Sequence, residues 1–195
     1  MKSYFVVLIM FIVGFWAPFC RSTIINGDFE SGSLSPWVNP QNYPGKWAID
    51  TAKTHSGNFS AHTETGPGGG VYALQQSFSP ILVDNIIAFN YWYYAETSLE
   101  RADIAVGLWF TDGSYKQDYM WGITLNKWTN RDVMPTLSQF SGKYLEKIGI
   151  YDTVATSTWI DDVQMEVIPE PSTIFMFGLG VPILSGFLRR KKLCQ

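Results

Sequence analysis

The sequence predicts an all-β protein: a jelly-roll-type β-sandwich, flanked by an N-terminal signal peptide and a single C-terminal transmembrane helix. Three observations carry that expectation. Apolar residues in the body recur with period two, and helical periodicity is nearly absent. Turn residues punctuate these alternating runs at short intervals. Two uncharged apolar stretches stand apart from them, one at each end of the 195 residues.

The first element is the leader. Lys2 supplies a basic start, and "YFVVLIMFIVGFWAPF" follows as an apolar stretch. Cys20 and Ser22 are small residues spaced like a signal-peptidase site, so the predicted signal peptide covers residues 1–22. A retained membrane helix is the alternative; the short basic start and small-residue exit favour cleavage. Pro18 and Phe19 occupy positions where a lipoprotein site needs small residues.

The body, residues 23–167, is long enough for one domain. Its richness in aromatics and sparse charge argue for a packed fold over disorder. The only cysteines are Cys20 and Cys194, outside the body, so no disulfide supports it and it needs a core of its own. Charge is uneven. Residues 23–170 hold eight Lys and Arg against all 17 Asp and Glu, a net −9. Such a body is a poor binder of nucleic acid through phosphate neutralisation and suits a neutral ligand or a cation.

Within the body the predicted strands follow in order. Segments 47–51 and 71–78 come first. In 87–94, Ile87, Phe89, Tyr91 and Tyr93 alternate with Ala88, Asn90, Trp92 and Tyr94. In 104–110, Ile104, Val106, Leu108 and Phe110 oppose Ala105, Gly107 and Trp109. Thr111-Asp112-Gly113-Ser114 is a hairpin turn signal leading into the next strand. Segments 128–133 and 147–151 follow, and Trp159, Asp161, Val163, Met165 and Val167 mark one face of a last strand. The run Gly66-Pro67-Gly68-Gly69-Gly70 lacks the Gly-Lys-Ser/Thr of a phosphate loop and reads as a connection.

Chemistry-bearing residues are few. His55 and His62 are the two histidines, no nucleophile-elbow pattern is present, and His/Cys metal spacing is missing. No motif points to paired catalytic carboxylates, so the body is expected not to be an enzyme. Tryptophan is the abundant resource. Sugar binding needs aromatic faces and a few polar groups, although most buried rings serve the core. Trp92 and Trp109 stand opposite the aliphatic faces of their strands. Trp47 and Trp121 are next to loops. These four are the candidate ligand-binding residues.

The tail is the last element. Residues 172–188 carry no charge and would span about 25 Å as a helix, near the short limit for crossing a bilayer. Arg189, Arg190, Lys191 and Lys192 would then remain on the cytoplasmic side. Pro169 and Pro171 hold the preceding stretch extended, the form a peptidase cleft accepts.

Two resemblances sit on these residues. Pro169-Glu170-Pro171, the apolar span and the four basic residues together resemble a PEP-CTERM sorting signal, over residues 168–192. The resemblance implies export, transient membrane anchoring, and processing near the triplet by an exosortase-type peptidase. The protein would then be delivered to the cell surface or the extracellular, biofilm-type matrix. Asn26-Gly27-Asp28-Phe29-Glu30, His55-Ser56-Gly57 and Ile160-Asp161-Asp162-Val163 resemble the galactose-binding-like sandwich of many carbohydrate-binding modules. That resemblance implies first and last strands close together and a structural calcium there. Glu30 and one of Asp161 or Asp162 are its candidate ligands, with the Gly57 carbonyl a third. The function these readings imply is binding of extracellular polysaccharide. The alternatives are a structural matrix protein without a specific small ligand and, further off, a glycoside hydrolase.

Overall fold

In the computed structural model the described residues are 23–40, 47–64, 72–96, 104–120, 122–152 and 157–168. The predicted signal peptide, Trp121, the sorting triplet and the tail span 172–188 lie outside them. Among the described residues no helix is long and apolar enough to cross a membrane.

The described residues of the body form nine strands: β1 Ala48–Asp50, β2 Ser60–Glu64, β3 Tyr72–Leu82, β4 Ile86–Ala95, β5 Ile104–Phe110, β6 Tyr115–Met120, β7 Thr129–Asp132, β8 Tyr144–Asp152 and β9 Ser157–Val167. One helical turn, α1 (Met134–Leu137), follows β7. The strands make two sheets. One has the order β1-β2-β9-β4-β7 and the other β3-β8-β5-β6. Every pairing is antiparallel.

The alternation read in β5 holds. Ile104, Val106, Leu108 and Phe110 enter the main core, while Ala105 and Trp109 face the other way. Ile148 and Ile150 of β8 and Leu74 of β3 join them from the same sheet; Phe89, Tyr91, Ile160 and Met165 close the core from the other. Fully burying a side chain of this size contributes about 1.5–3 kcal/mol, which is how a cysteine-free body holds together. The hairpin turn is also as expected. Gly113 takes φ +79° and donates its N–H to the Phe110 carbonyl at 3.0 Å. Asp112 Oδ1 accepts the Ser114 N–H at 2.9 Å.

Two alternations slip by one residue. In β4, Ile87 is exposed and Ile86 is buried instead, because the register to β9 shifts between Ile86 and Ala88. In β9, a bulge breaks the single face read from Trp159 to Val167. Trp92 pairs with Asp161 but Asn90 pairs with Gln164, so one extra residue stands opposite Tyr91. Asp162 accommodates it at φ +47°. As a result Trp159 and Asp161 face outward while Val163 and Met165 face the core. The expectation that Asp161 shares a face with Val163 is therefore corrected.

The bulge also explains Asn26-Gly27-Asp28. Val163 turns its N–H to the Gly27 carbonyl at 2.8 Å. A Cβ on Gly27 would lie 2.1 Å from the Val163 oxygen, so only glycine fits. The opening of the body and its last strand are thus in contact, as the second resemblance implied.

Candidate functional site

The outer face of the four-stranded sheet is built by register. Gln75 pairs with Gly149, Gly149 with Gly107, and Gly107 with Gln117, making one polar, side-chain-poor row across all four strands. On one side runs a row with Tyr151 and Tyr119; on the other a row with Lys147, Trp109 and Tyr115. The two glycines leave a floor on which the Trp109 ring lies. A Cβ at either glycine would come within 3.0 Å of Trp109 Cη2. Trp109 is half-buried, Tyr115 and Tyr119 are 44% and 45% exposed, and Lys147 Nζ stands 4.1 Å from the indole centroid.

Polar atoms frame this ring. Tyr115 packs at 4.8 Å from Trp109, centroid to centroid, and its hydroxyl lies 3.4 Å from that of Tyr151. Tyr115 donates to Gln117 Oε1 at 3.1 Å, and Gln75 Nε2 donates to the Tyr151 hydroxyl at 3.3 Å. Burial pushes both hydroxyls above the ordinary tyrosine range. They stay protonated at neutral pH, able to donate and to accept. Chemically the face offers an aromatic plane bordered by hydroxyls and amides, a complement to a neutral polyhydroxylated ring.

The outer face of the five-stranded sheet is different: it is clad by the connection between β1 and β2. His55 stacks on Trp92 at 3.8 Å and meets Trp128 edge-on at 5.6 Å. His62 stacks on Trp159 at 4.1 Å, and Lys53 Nζ sits 4.1 Å from the Trp159 ring centre. Trp159, 5% exposed, also donates Nε1–H to Asp50. These rings are occupied by their own chain.

Carboxylates fasten that connection. Asp161 Oδ2 accepts the N–H groups of His55 and Ser56 at 2.8 and 3.1 Å, and its Oδ1 accepts the Asp162 N–H at 2.8 Å. Asp162 takes His55 Nδ1 at 2.6 Å and Ser56 Oγ at 3.0 Å. Glu30 Oε1 accepts the N–H groups of Asn58 and Phe59 at 2.7 and 2.9 Å. Gly57, at φ +57°, lies against the Glu30 carboxylate, where a Cβ would come within 2.3 Å of Oε1. Burial raises the Asp161 carboxyl to about 6, against the pull of its three N–H bonds. Backbone N–H bonds from Asn58 and Phe59 hold Glu30 below its ordinary value.

All four residues expected to hold calcium therefore meet at one loop. Their oxygens, however, are turned to N–H and O–H donors, whereas calcium takes six to eight oxygen ligands. Among the described residues no group of three or more His, Cys, Asp and Glu side chains gathers around one point. The donor set as arranged is that of a loop clamp. The same geometry bears on catalysis: Ser56 Oγ donates to Asp162 and not to the imidazole, so no activated serine is assembled here.

Of the candidate ligand residues, Trp109 is on the outer face of the four-stranded sheet, half-buried, with Lys147 Nζ over its ring at 4.1 Å. Trp92 is on an outer face, as expected, but under His55. Trp47 is corrected from a loop-side ligand to a core residue, 4% exposed among the main apolar cluster. Trp121 lies outside the described residues. Sequence reading missed Tyr115, Tyr151, Gln75 and Gln117. The available signal was Gly107 inside a strand two residues before a tryptophan, since strand glycine marks a close approach.

Residues 167–192 match the PEP-CTERM protein-sorting motif. No curated protein matches the chain. Among solved structures the body is similar in fold to carbohydrate-binding modules. One, from a study of promiscuous specificity in modules of the β-sandwich superfamily, is 16% identical at a TM-score of 0.54, covering 71% of this chain and 60% of its own. The tandem CBM22-1–CBM22-2 domain of Paenibacillus barcinonensis Xyn10C is 14% identical at 0.51, covering 78% of this chain and 46% of its own. The enzymatically active domain of tailspike protein 4 from bacteriophage CBA120 is 13% identical at 0.50, covering 74% of this chain and 21% of its own. The likeness is one of fold.

Proposed function

We propose that this protein is exported, processed at its sorting signal by an exosortase-type peptidase, and binds polysaccharide at the cell surface or in the surrounding matrix. The binding surface in this reading is the outer face of the four-stranded sheet. One observation carries it: the Trp109 ring on its floor of Gly107 and Gly149, bordered by the Tyr115 and Tyr151 hydroxyls and the Gln75 and Gln117 amides. The similar fold of carbohydrate-binding modules supports the ligand class, and the sorting motif supports the destination. The net −9 of residues 23–170 favours a neutral glycan over an acidic one.

In this reading the role is binding without turnover, and Glu30, Asp161 and Asp162 serve as clamps of the β1–β2 connection. The test is a glycan array probed with residues 23–168, which carry both sheets and the core. Retention on neutral polysaccharide, lost in Trp109→Ala, supports the reading. Absence of binding to every glycan would favour a structural matrix role, and release of sugar would favour a hydrolase.

A further inference from the structure

Among the described residues three lysine ammonium groups stand over aromatic rings, and two of them are tied down. Lys53 Nζ sits 4.1 Å from the Trp159 ring centre and pairs with Glu96. Lys143 Nζ lies 5.6 Å from the Phe110 ring centre and pairs with Asp112 at 2.9 Å. Lys147 Nζ is 4.1 Å from the Trp109 centroid, and among the described residues no carboxylate lies within ion-pair reach of it. Its neighbours in the cross-strand row are Ser77, Trp109 and Tyr115, all uncharged. The ring is thus what holds this ammonium in place.

That place is the one a ligand would need. The rest of the indole's surroundings are taken: Gly107 and Gly149 lie against its six-membered end, and the Tyr115 and Tyr151 rings stand 4.8 and 6.2 Å away, centre to centre. A sugar stacked on the ring would bring its C–H groups to about 3.5–4 Å from the face, the distance of best carbon–carbon contact. The Lys147 ammonium already stands at about that depth. A sugar centred on the indole and the ammonium therefore compete for one place. An exposed cation–π contact is weak, and the lysine stem is flexible. Lys147 can swing to solvent without leaving a carboxylate unpaired, which Lys53 cannot do.

We propose that Lys147 gates the Trp109 face: it covers the indole in the free protein and is displaced when a neutral glycan stacks there. The inference rests on the reading that this face binds polysaccharide. It gives Lys147 the opposite sign to the residues around it. Tyr115 and Gln117 would add contacts to the ligand, whereas Lys147 subtracts from affinity. Every glycan that stacks on the ring is weakened by one factor, the fraction of time the ammonium is away.

The test titrates isotope-labelled residues 23–168, which carry both sheets and the core, with soluble galactan, xylan and dextran. Wild type is compared with Lys147→Ala, Lys147→Arg and Trp109→Ala. Lys147→Ala should bind about two- to five-fold more tightly than wild type, the factor an exposed cation–π contact withholds. Lys147→Arg keeps a cation over the ring and should bind no better than wild type. The lysine also reports its own position, because protons over an indole face are shielded. The Lys147 methylene next to the ammonium should resonate upfield of its position in Trp109→Ala, and should move downfield as glycan is added. Unchanged or weaker binding in Lys147→Ala would overturn the gate while leaving the proposed function standing. So would a methylene that is unshielded in the free protein, or that stays shielded in the complex. Absence of binding by both wild type and Lys147→Ala would overturn the proposed function for these neutral polymers, and the gate with it.

Discussion

The Trp109 ring lies against Gly149, its Cη2 3.0 Å from where a Cβ of that residue would stand. Gly107 supports the ring from the neighbouring strand at the same distance. The pair of glycines thus leaves room for an indole to lie against the outer face of the sheet instead of in the core.

Removing that plane is the most direct test. Trp109→Ala should weaken polysaccharide binding by at least about tenfold, equivalent to about 1.4 kcal/mol. Gly149→Val should do the same indirectly, by lifting the ring off its floor. Affinity electrophoresis on immobilised glycan measures both. Undiminished retention of either folded variant would place the ligand elsewhere.

Asp161 gives the protein a specific pH dependence. Its carboxyl is raised by burial to about 6, from an ordinary 3.8, so the folded state holds the proton more tightly than the unfolded state. Its contribution to stability therefore falls as pH rises across that window, and is already lost above it. Asp112 works in the opposite sense at lower pH: its bonds to Ser114 and Lys143 depress its carboxyl, so stability is lost as pH falls below 3.8. Asp161→Asn should remove the slope between pH 4 and 6. It should also cost about 1–3 kcal/mol, because the amide must turn an N–H toward a loop N–H. Denaturation midpoints across pH check both signs.

Glu30→Gln should loosen the turn at Gly57. The carboxylate takes three N–H donors from Asn58 and Phe59, and an amide presents one oxygen in place of two. Faster cleavage between β1 and β2 by a broad-specificity protease is the expected outcome, with little change in the strands. An unchanged digestion pattern would show that this loop is fixed by other contacts.

Calcium offers a complementary experiment on the same residues. With Glu30 and Asp161 engaged by N–H groups, calcium or chelator should leave the thermal midpoint unchanged. A cation held by the folded state alone would raise stability by about 2.7 kcal/mol at a hundred times its dissociation constant. A midpoint that climbs with calcium would mean these carboxylates exchange their N–H donors for the metal.

Pro169→Ala together with Pro171→Ala should leave the tail attached in a host that carries the sorting peptidase, with the protein retained in the membrane fraction. Mass spectrometry of the surface and membrane fractions reads this directly. Normal release would remove the triplet from the recognition element.

Much of the architecture was legible. The alternation of Ile104, Val106, Leu108 and Phe110, and the turn at Asp112-Gly113, follow from local rules, because a strand buried on one face must repeat every second residue. Ile87 and the run from Trp159 to Val167 were misread for one physical reason. In each a bulge shifts parity, and the one in the run from Trp159 to Val167 is held from elsewhere in the chain, by the Gly27 carbonyl that receives the Val163 N–H. The tryptophans divide in the same way. Exposure of a ring depends on what crosses it, and the histidine that covers Trp92 lies 37 positions away in the sequence.

The sequence by itself determined the class of fold, the acidic and disulfide-free character of the body, and a sorting signal at 167–192. Each is a property of neighbouring residues or of composition. Only the tertiary structure decided that Glu30, Asp161 and Asp162 grip one loop, that Trp47 is core, and that Gln75, Gly149, Gly107 and Gln117 form a single row beneath Trp109. Those are relations between strands distant in the chain. Cross-strand register sets them, and no local pattern encodes it.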